Sequence, residues 1–576
     1  MKDLYQKLRT FTGKNYGLYK SLSQRIWDFG DFELEFIHVQ GDPYAPASRL
    51  KFTAPLASLG VPTEWGNFPL KRLALADFLL RRISKELEAR SLASEDRFPV
   101  SIGAPGEEVI LRNALWVGGP SENNGKAVVE VILNVELPGE KRMVDVAAAA
   151  ELLTNTVPDV LTSLYLSAGD VRAMAQKSIE CLEIREELLK LLEPNGLVAF
   201  VPDGAVLPRE SGSSDRPKVD ALPFMSPEEL KKTFEVCGKK IIGMGIPKGI
   251  TIIAGGAYHG KSTLLSALES AVVPHIPGDG REWIVCDSSA VRIAAEPGRI
   301  VRKTRISPFV KELPFGVSTE EFNTRSASGS TSEAANLIEA LEFGAHTLLI
   351  DEDASAVNFL IRDPRMRALI GEANEPLIPL SDRVLELSHL GVNMVIVVGA
   401  CGDYLSVADT VIVMDKYLPR VETEKAKKVA TEIPSLAKLE GTSSFGEFKS
   451  RELLAFAKEA LLPGLKPRNP MERQVKVRLR GETLQIGFLE ADLRNLFPFG
   501  SAALYNALGL ILLNLLQNAE AEPTAEAIHE LFVQIQNVGF RKIPQGFSKE
   551  AALPREAELA RALLRLENPP KPGEKQ

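Results

Sequence analysis

The spacing of apolar residues changes character twice along this chain, and the changes divide it into three parts. Over residues 1–225 the pattern is mixed. Two apolar runs, 108–117 and 127–138, flank a strong turn signal at Asn124-Gly125 and predict strands. Helical periodicity follows from about Met143 to Leu166, then from an N-cap at Asp170 to a stop at Pro194-Asn195-Gly196. Over residues 226–445 short β-branched runs (ITIIA, WIVCD, TLLID, NMVIVV, TVIVMD) alternate with helical stretches. Fully apolar strands interleaved with helices predict a mainly parallel sheet covered on both faces. Residues 446–576 read as a small, mostly helical domain around one strand at 474–480. The expectation is an α/β core flanked by an N-terminal α+β domain and a C-terminal domain, joined through a Gly-, Pro- and Ser-rich loop at 202–218.

Composition narrows the class. A chain of 576 residues holds roughly three to four domains at ~150 residues each. The 45% hydrophobic and 25% charged fractions exclude disorder and collagen-like repeats. With a net charge of -8, any polyanion site has to be a local basic patch. Cys181, Cys237, Cys286 and Cys401 form no CxxC or Cys/His cluster, so neither structural zinc nor a disulfide framework is expected. The N-terminus lacks an apolar signal region. The run Ala502–Leu516 is interrupted by Asn506 and Asn514 and is shorter than the ~20 residues that span a bilayer. These features predict a cytoplasmic protein with no membrane partner.

The first chemical motif stands between the apolar run 250–254 and a helical run. Residues 255–262, GGAYHGKS, satisfy GxxxxGK[ST]. Gly255, Gly256 and Gly260 let the backbone curl so that N–H groups along Ala257, Tyr258 and His259 face phosphate oxygens, and the helix dipole adds to this. Lys261 reaches the β- and γ-phosphates, Ser262 offers its hydroxyl to Mg²⁺, and Thr263 completes the binding set. Tyr258 and His259 either touch nucleotide or only shape the loop. ATP and Mg²⁺ are the expected cofactors.

A second motif gives the first its context. The strand 347–351 ends in Asp351, a metal carboxylate, followed by Glu352, placed to polarise the attacking water; Glu352 and Lys261 are the expected catalytic pair. Ser328, Gly329 and Ser330 open a helical run 23 residues before Asp351 (351 − 328 = 23). This arrangement resembles the ATP-binding cassette superfamily, in which a Ser/Gly signature opens a helix leading to the acidic strand, and Asn358 stands where that superfamily has its D-loop. GGAYHGKSTLL, HIPGDGRE (275–282), SASGSTSEAAN, LLIDEDASAVNF, GACGDYLSVAD (399–409) and LPRESGSSDRP (207–217) narrow the resemblance to a non-transporter branch, the ATPases of the ABC class, with weaker similarity around QGDPYAPASRL. It implies a P-loop ABC-type ATPase core at 226–445. It also implies a head-to-tail homodimer in which the signature clamps the γ-phosphate in trans, with RNA as the partner class.

The chain departs from that superfamily at two places. No Gln lies between Ser262 and Thr331, and Arg305–Phe309 is the expected substitute. GACGD replaces the switch histidine, leaving Asp403 or backbone amides as the γ-phosphate sensor, while His389 precedes the strand. These losses predict slow turnover, since one preorganised donor is worth roughly 10²–10³ in rate. Phe234 is the candidate adenine platform. Three cationic patches are candidates for nucleic acid. Arg9 and Lys14 lie among aromatics in residues 1–27; Lys476, Arg478 and Arg480 share a strand face; Arg292, Arg299, Arg302, Lys303 and Arg305 lie in the core domain. Charge pairing competes as the explanation of the last, and inward-packed aromatics as that of the first. Two further functions stay open: a nucleotide-gated scaffold for a protein partner, and, more weakly, a metabolite kinase.

Overall fold

The structure is a computed structural model describing residues 1–94, 97–120, 125–166, 169–211, 214, 216–371, 374–433, 445, 461–469, 474–497, 500–518, 525–543 and 545–568. Asn124, Gly212, Ser213 and Asp215, all within motifs named above, lie outside the described residues. The chain forms two compact units. One comprises Met1–Leu182, Ser501–Asn514 and Ile528–Pro554; the other comprises Glu183–Gly500, Leu515–Ala527 and Arg555–Gln576.

The first unit is built on an antiparallel sheet. Its central strand Ser48–Pro55 pairs with Glu33–His38 on one side and Val128–Val135 on the other. Strand alternation turns Leu50, Phe52 and Ala54 inward, each fully buried, and Lys51 and Thr53 to the opposite face. A long helix, Pro69–Ala93, starts on a proline at its first turn and buries Leu75, Leu79 and Ile83. The opposite sheet face carries charge and is matched by charge. Arg541 Nε donates to Glu130 Oε2 at 3.1 Å, and Lys51 lies over the Phe547 ring at 5.8 Å. The helical run expected from Met143 begins at Val146, capped by Asp145, whose Oδ1 accepts from the Ala148 N–H at 3.0 Å. The helix Gly169–Leu192 stops at Glu193–Asn195 and Gly196, which sits at φ +64.

The second unit holds the nucleotide-type core. Its six-stranded sheet runs Val291–Ile293, Thr347–Asp351, Asn393–Val397, Ile250–Gly255, Thr410–Asp415 and Leu418–Val421 in spatial order. All neighbours are parallel except the last. Both faces are covered. Ile253, Leu349, Val395 and Ile412 pack with Leu264, Leu265 and Leu268 of the helix Lys261–Ser270. Ile250, Ile252, Leu348 and Ile350 pack with Ala334, Leu337 and Ile338 of the helix Gly329–Glu342. At about 25 cal/mol per Å² of apolar surface removed from water, such two-sided burial is the main force fixing the sheet.

An antiparallel sheet lies in the same unit, with order Lys231–Val236, Lys239–Pro247, Leu197–Pro202, Val285–Cys286. Residues 446–576, expected as a separate domain, are instead shared between the two units. The cause is visible in burial: Leu559, Ala562, Leu563 and Leu564 of the helix Glu556–Arg565 are buried within the second unit, while Asn506 Nδ2 donates to Glu550 O within the first. Among the described residues, no helix is long and apolar enough to cross a membrane.

Candidate nucleotide site

The strand Ile250–Gly255 delivers the chain into the loop 255–260, and the helix Lys261–Ser270 carries it away. Gly255 adopts φ +142, and a Cβ there would meet Met414 O at 2.5 Å, so only glycine lets the loop leave the strand this way. Gly260 caps the helix at φ +95. Lys261 Nζ folds back to donate to Gly255 O at 2.8 Å and Gly256 O at 2.9 Å, which places its charge inside the loop's curl. Ser262 is exposed at the helix start and Tyr258 is 93% exposed. His259 instead shapes the loop. Its Nδ1 accepts from the Lys416 N–H at 3.1 Å and its carbonyl accepts from the Tyr417 N–H at 3.1 Å. The first of those bonds turns Nδ1 toward the hairpin turn, where Asp415 Oδ1 also lies 3.4 Å away, and not toward a substrate.

Asp351 ends its strand two places across the sheet from the loop strand, with Asn393–Val397 between them. It is 5% exposed, and Oδ1 accepts from the Asp353 N–H at 3.2 Å. Glu352 is held by the loop after that intervening strand: Oε2 accepts from the N–H groups of Gly399 at 2.6 Å, Ala400 at 3.0 Å and Cys401 at 3.4 Å. Burial opposes ionisation of Glu352, but these backbone donors, with the Cys401 thiol, outweigh it and hold the carboxyl below its usual range. The place of the missing switch histidine is thus filled by an amide nest that grips the expected general base. Asp403 lies beyond it, in the turn Gly402–Ser406.

The signature forms the N-terminus of the helix Gly329–Glu342. Ser328 is the N-cap, its Oγ accepting from the Thr331 N–H at 3.3 Å. Ser330 Oγ donates to Asn358 Oδ1 at 2.7 Å, and Gly329 leaves only 3.4 Å between a notional Cβ and the Ala356 Cβ. Signature and D-loop segment are therefore bound to each other within one chain. Among the described residues, no hydrogen bond joins 328–331 to 255–263.

Two expectations need correction, and one alternative left open is decided. Arg305–Phe309 does not follow the core strand next to Thr347–Asp351; Ala294–Pro297 does, with the Glu296 N–H donating to Ser332 Oγ at 2.9 Å. Phe309 is a core residue packed on Phe359 and Phe445. Phe234 is 7% exposed and stands edge-on to Phe200 at 5.1 Å in the antiparallel sheet, so it offers no free face. In residues 1–27, Phe11, Tyr16, Tyr19 and Trp27 are buried while Arg9 and Lys14 are exposed, so the aromatics there pack inward. Lys476 and Arg480 are exposed and Arg478 is half-buried, beside the strand Val477–Arg480. Arg292 pairs with Glu269 at 3.3 Å and Arg299 with Glu339 at 2.8 Å. The grip of the 399–401 amides on Glu352, and the places of Glu296 and Tyr417, are features that sequence reasoning missed. Only the GACG run hinted at the first, since a backbone donor has no residue code.

Residues 171–451 match the family of the ABC ATPase P-loop domain, and residues 1–167 match the family described as ATPase of the ABC class N-terminal. An uncharacterized protein of Methanocaldococcus jannaschii is 36% identical over 181 residues, which cover 30% of this chain and 40% of that protein. Among solved structures, the ADP conformation of an ATP-binding cassette of an ABC transporter aligns at 15% identity and a TM-score of 0.23, over 35% of this chain and 92% of that one. Likewise cbiO1 from Clostridium perfringens, part of an ABC transporter complex, aligns at 15% identity and a TM-score of 0.26, over 42% and 96%. Two family matches that together run from residue 1 to 451, on a chain whose loop, acidic strand and signature helix stand in one sheet unit, place it: this chain belongs to the ATPases of the ABC class.

Proposed function

We propose that this chain hydrolyses ATP slowly, and that two copies close head-to-tail on shared nucleotide while RNA is held by their flanking parts. The observation that carries the proposal is the split between two half-sites. The phosphate loop with Lys261 and the signature turn at Ser328 stand at separate places in one chain, each capped and positioned but with no hydrogen bond between them. A helix N-terminus with serine hydroxyls binds a phosphate, and a second copy would bring it to the open side of the first copy's loop. Asp351 and the exposed Ser262 are oxygen ligands suited to Mg²⁺. Among the described residues no cluster of His, Cys, Asp or Glu holds a metal by itself, which fits an ion completed by phosphate oxygens. When bound, such an ion neutralises charge developing on the transferred phosphoryl group. Glu352 orients and deprotonates the attacking water, and the amide nest sets where its carboxylate sits.

Light scattering with saturating ATP tests the pairing. Glu352→Gln is expected to retain ATP and double in mass, with turnover lowered by roughly 10²–10³, while Lys261→Ala binds no ATP and stays at the mass of one chain. A Glu352→Gln protein that binds ATP yet remains a monomer overturns the head-to-tail arrangement.

A further inference from the structure

A cavity of about 250 Å³ opens against the phosphate-loop helix, bounded by Gly260 and Thr263. Its other walls are Met414 and Tyr417 of the neighbouring hairpin, Leu207 and Pro208, and the stretch from Lys218 to Phe224. We propose that this cavity is the base-and-ribose subsite of the nucleotide, with Tyr417 stacking on the base and residues 218–222 closing beside it. The proposal rests on the ATP reading above and adds the element that recognises the nucleoside.

Position argues first. Gly260 and Thr263 flank Lys261 and Ser262, so a ligand whose phosphates lie on the loop extends into the space those two residues border. Size agrees: whole-ligand sites run to ~300–1,000 Å³, and this smaller space suits a flat base with its sugar once the phosphates lie outside it. Exposure agrees as well. Tyr417 is 56% exposed and Leu222 52% exposed, two large apolar groups uncovered at the rim of one cavity. Tyr417 holds φ +69 and Lys416 φ +48, the left-handed pair that the two-residue turn between Thr410–Asp415 and Leu418–Val421 requires. Tyr417 is pinned there by the bond from its N–H to His259 O, inside the phosphate loop itself. The platform expected on the first strand, Phe234, is covered. Asp220, exposed at the cavity wall, supplies a carboxylate acceptor for a base that presents an amino group.

The same geometry accounts for two motifs that phosphate binding leaves unused. The start of the wall segment is locked to the chain that follows the phosphate-loop helix. The Val206 N–H donates to Gly280 O at 2.9 Å, and Arg281 Nε donates to Leu207 O at 3.0 Å. Arg209 Nη2 pairs with Asp279 Oδ2 at 2.8 Å, and His275 Nδ1 lies 2.8 Å from the same carboxylate. Arg281 Nη1 reaches Ser270 Oγ, on the last residue of the helix, at 2.9 Å. Residues 206–209 and 275–281 are thus tied together beside the phosphate-loop helix, which sets that end of the cavity wall against the loop. Burial works against Asp279 as an anion, yet His275 and Arg209 hold its carboxyl below the usual range.

Calorimetric titration of the full chain with Mg²⁺·ATP and, separately, with Mg²⁺·tripolyphosphate tests the assignment. Tyr417→Asn keeps a residue that tolerates the left-handed turn and removes the ring; Leu222→Asp changes the cavity without touching the hairpin. Each is expected to weaken ATP binding ~10–100-fold, the scale of one lost stacking or apolar contact on a base, and to leave tripolyphosphate binding unchanged. Tyr417→Phe restores wild-type ATP affinity. The subsite is overturned if both variants bind ATP as the wild type does, or lose ATP and tripolyphosphate in parallel. Wild-type protein that binds neither ligand overturns the ATP reading, and the subsite with it.

Discussion

Glu333 shows how a single residue in the signature helix couples charge to packing. It is fully buried; Oε2 accepts from the Ala356 N–H at 2.7 Å, and Oε1 has no hydrogen-bond partner among the described residues. Burial pushes its pKa from 4.5 up to about 7, against the pull of the Ala356 and Ser355 bonds. The folded value lies above the unfolded one, so folding holds a proton that the unfolded chain has already released. The stabilisation is full below the unfolded pKa and is lost as pH rises through the folded one. A shift of that size corresponds to something on the order of 3 kcal/mol. Thermal melts between about pH 5 and about pH 8 should therefore show a falling Tm for the wild type and a flatter profile for Glu333→Gln. Parallel profiles would refute the assignment. Glu333 was invisible in sequence because a Glu on a helix is normally solvated; only tertiary burial made it unusual.

At the scale of elements, the signature helix was legible at its start and not at its neighbours. Ser328 before Gly329 is an N-cap signal that the structure uses directly. What encloses the helix comes from far away in the chain. Arg565, on the helix Glu556–Arg565, donates to Glu296 Oε1 at 2.8 Å and to Asn336 Oδ1 at 3.2 Å. Arg299 and Thr304 both bond the buried Glu339. The result is a buried charged layer against Gly329–Glu342, in which removing one partner strands the others. Arg565→Ala is expected to cost ~3–5 kcal/mol and to lower the urea midpoint accordingly. An unchanged midpoint would mean that water replaces the guanidinium without penalty. No local pattern announces such a layer, since hydrophobic periodicity sees one helix at a time and the pairing partners here are set by the fold.

At the scale of the whole molecule, a chain of net charge -8 can meet a polyanion only through a local surface. Lys476, just before the strand Val477–Arg480, and Arg480, its last residue, are both exposed and are the surface proposed for RNA. Filter binding of labelled single-stranded RNA over a salt series measures this. The double variant Lys476→Ala, Arg480→Ala should weaken binding and flatten the salt slope by about 1.4, from ~0.7 per lost phosphate contact. Equal slopes for variant and wild type would remove this strand as the contact. By itself the sequence determined the phosphate loop, the acidic strand, the signature cap and the parallel α/β core. Each of these is written in a contiguous stretch whose residue types fix backbone curl, hydrogen-bond capacity or two-sided burial. Tertiary structure alone decided the rest: the strand inserted between Gly255 and Asp351, the amides of 399–401 that grip Glu352, the burial of Phe234 and the division of the C-terminal residues between two units. Those depend on which distant segments share a face or a sheet edge, and backbone groups and burial leave no mark in the local order of side chains.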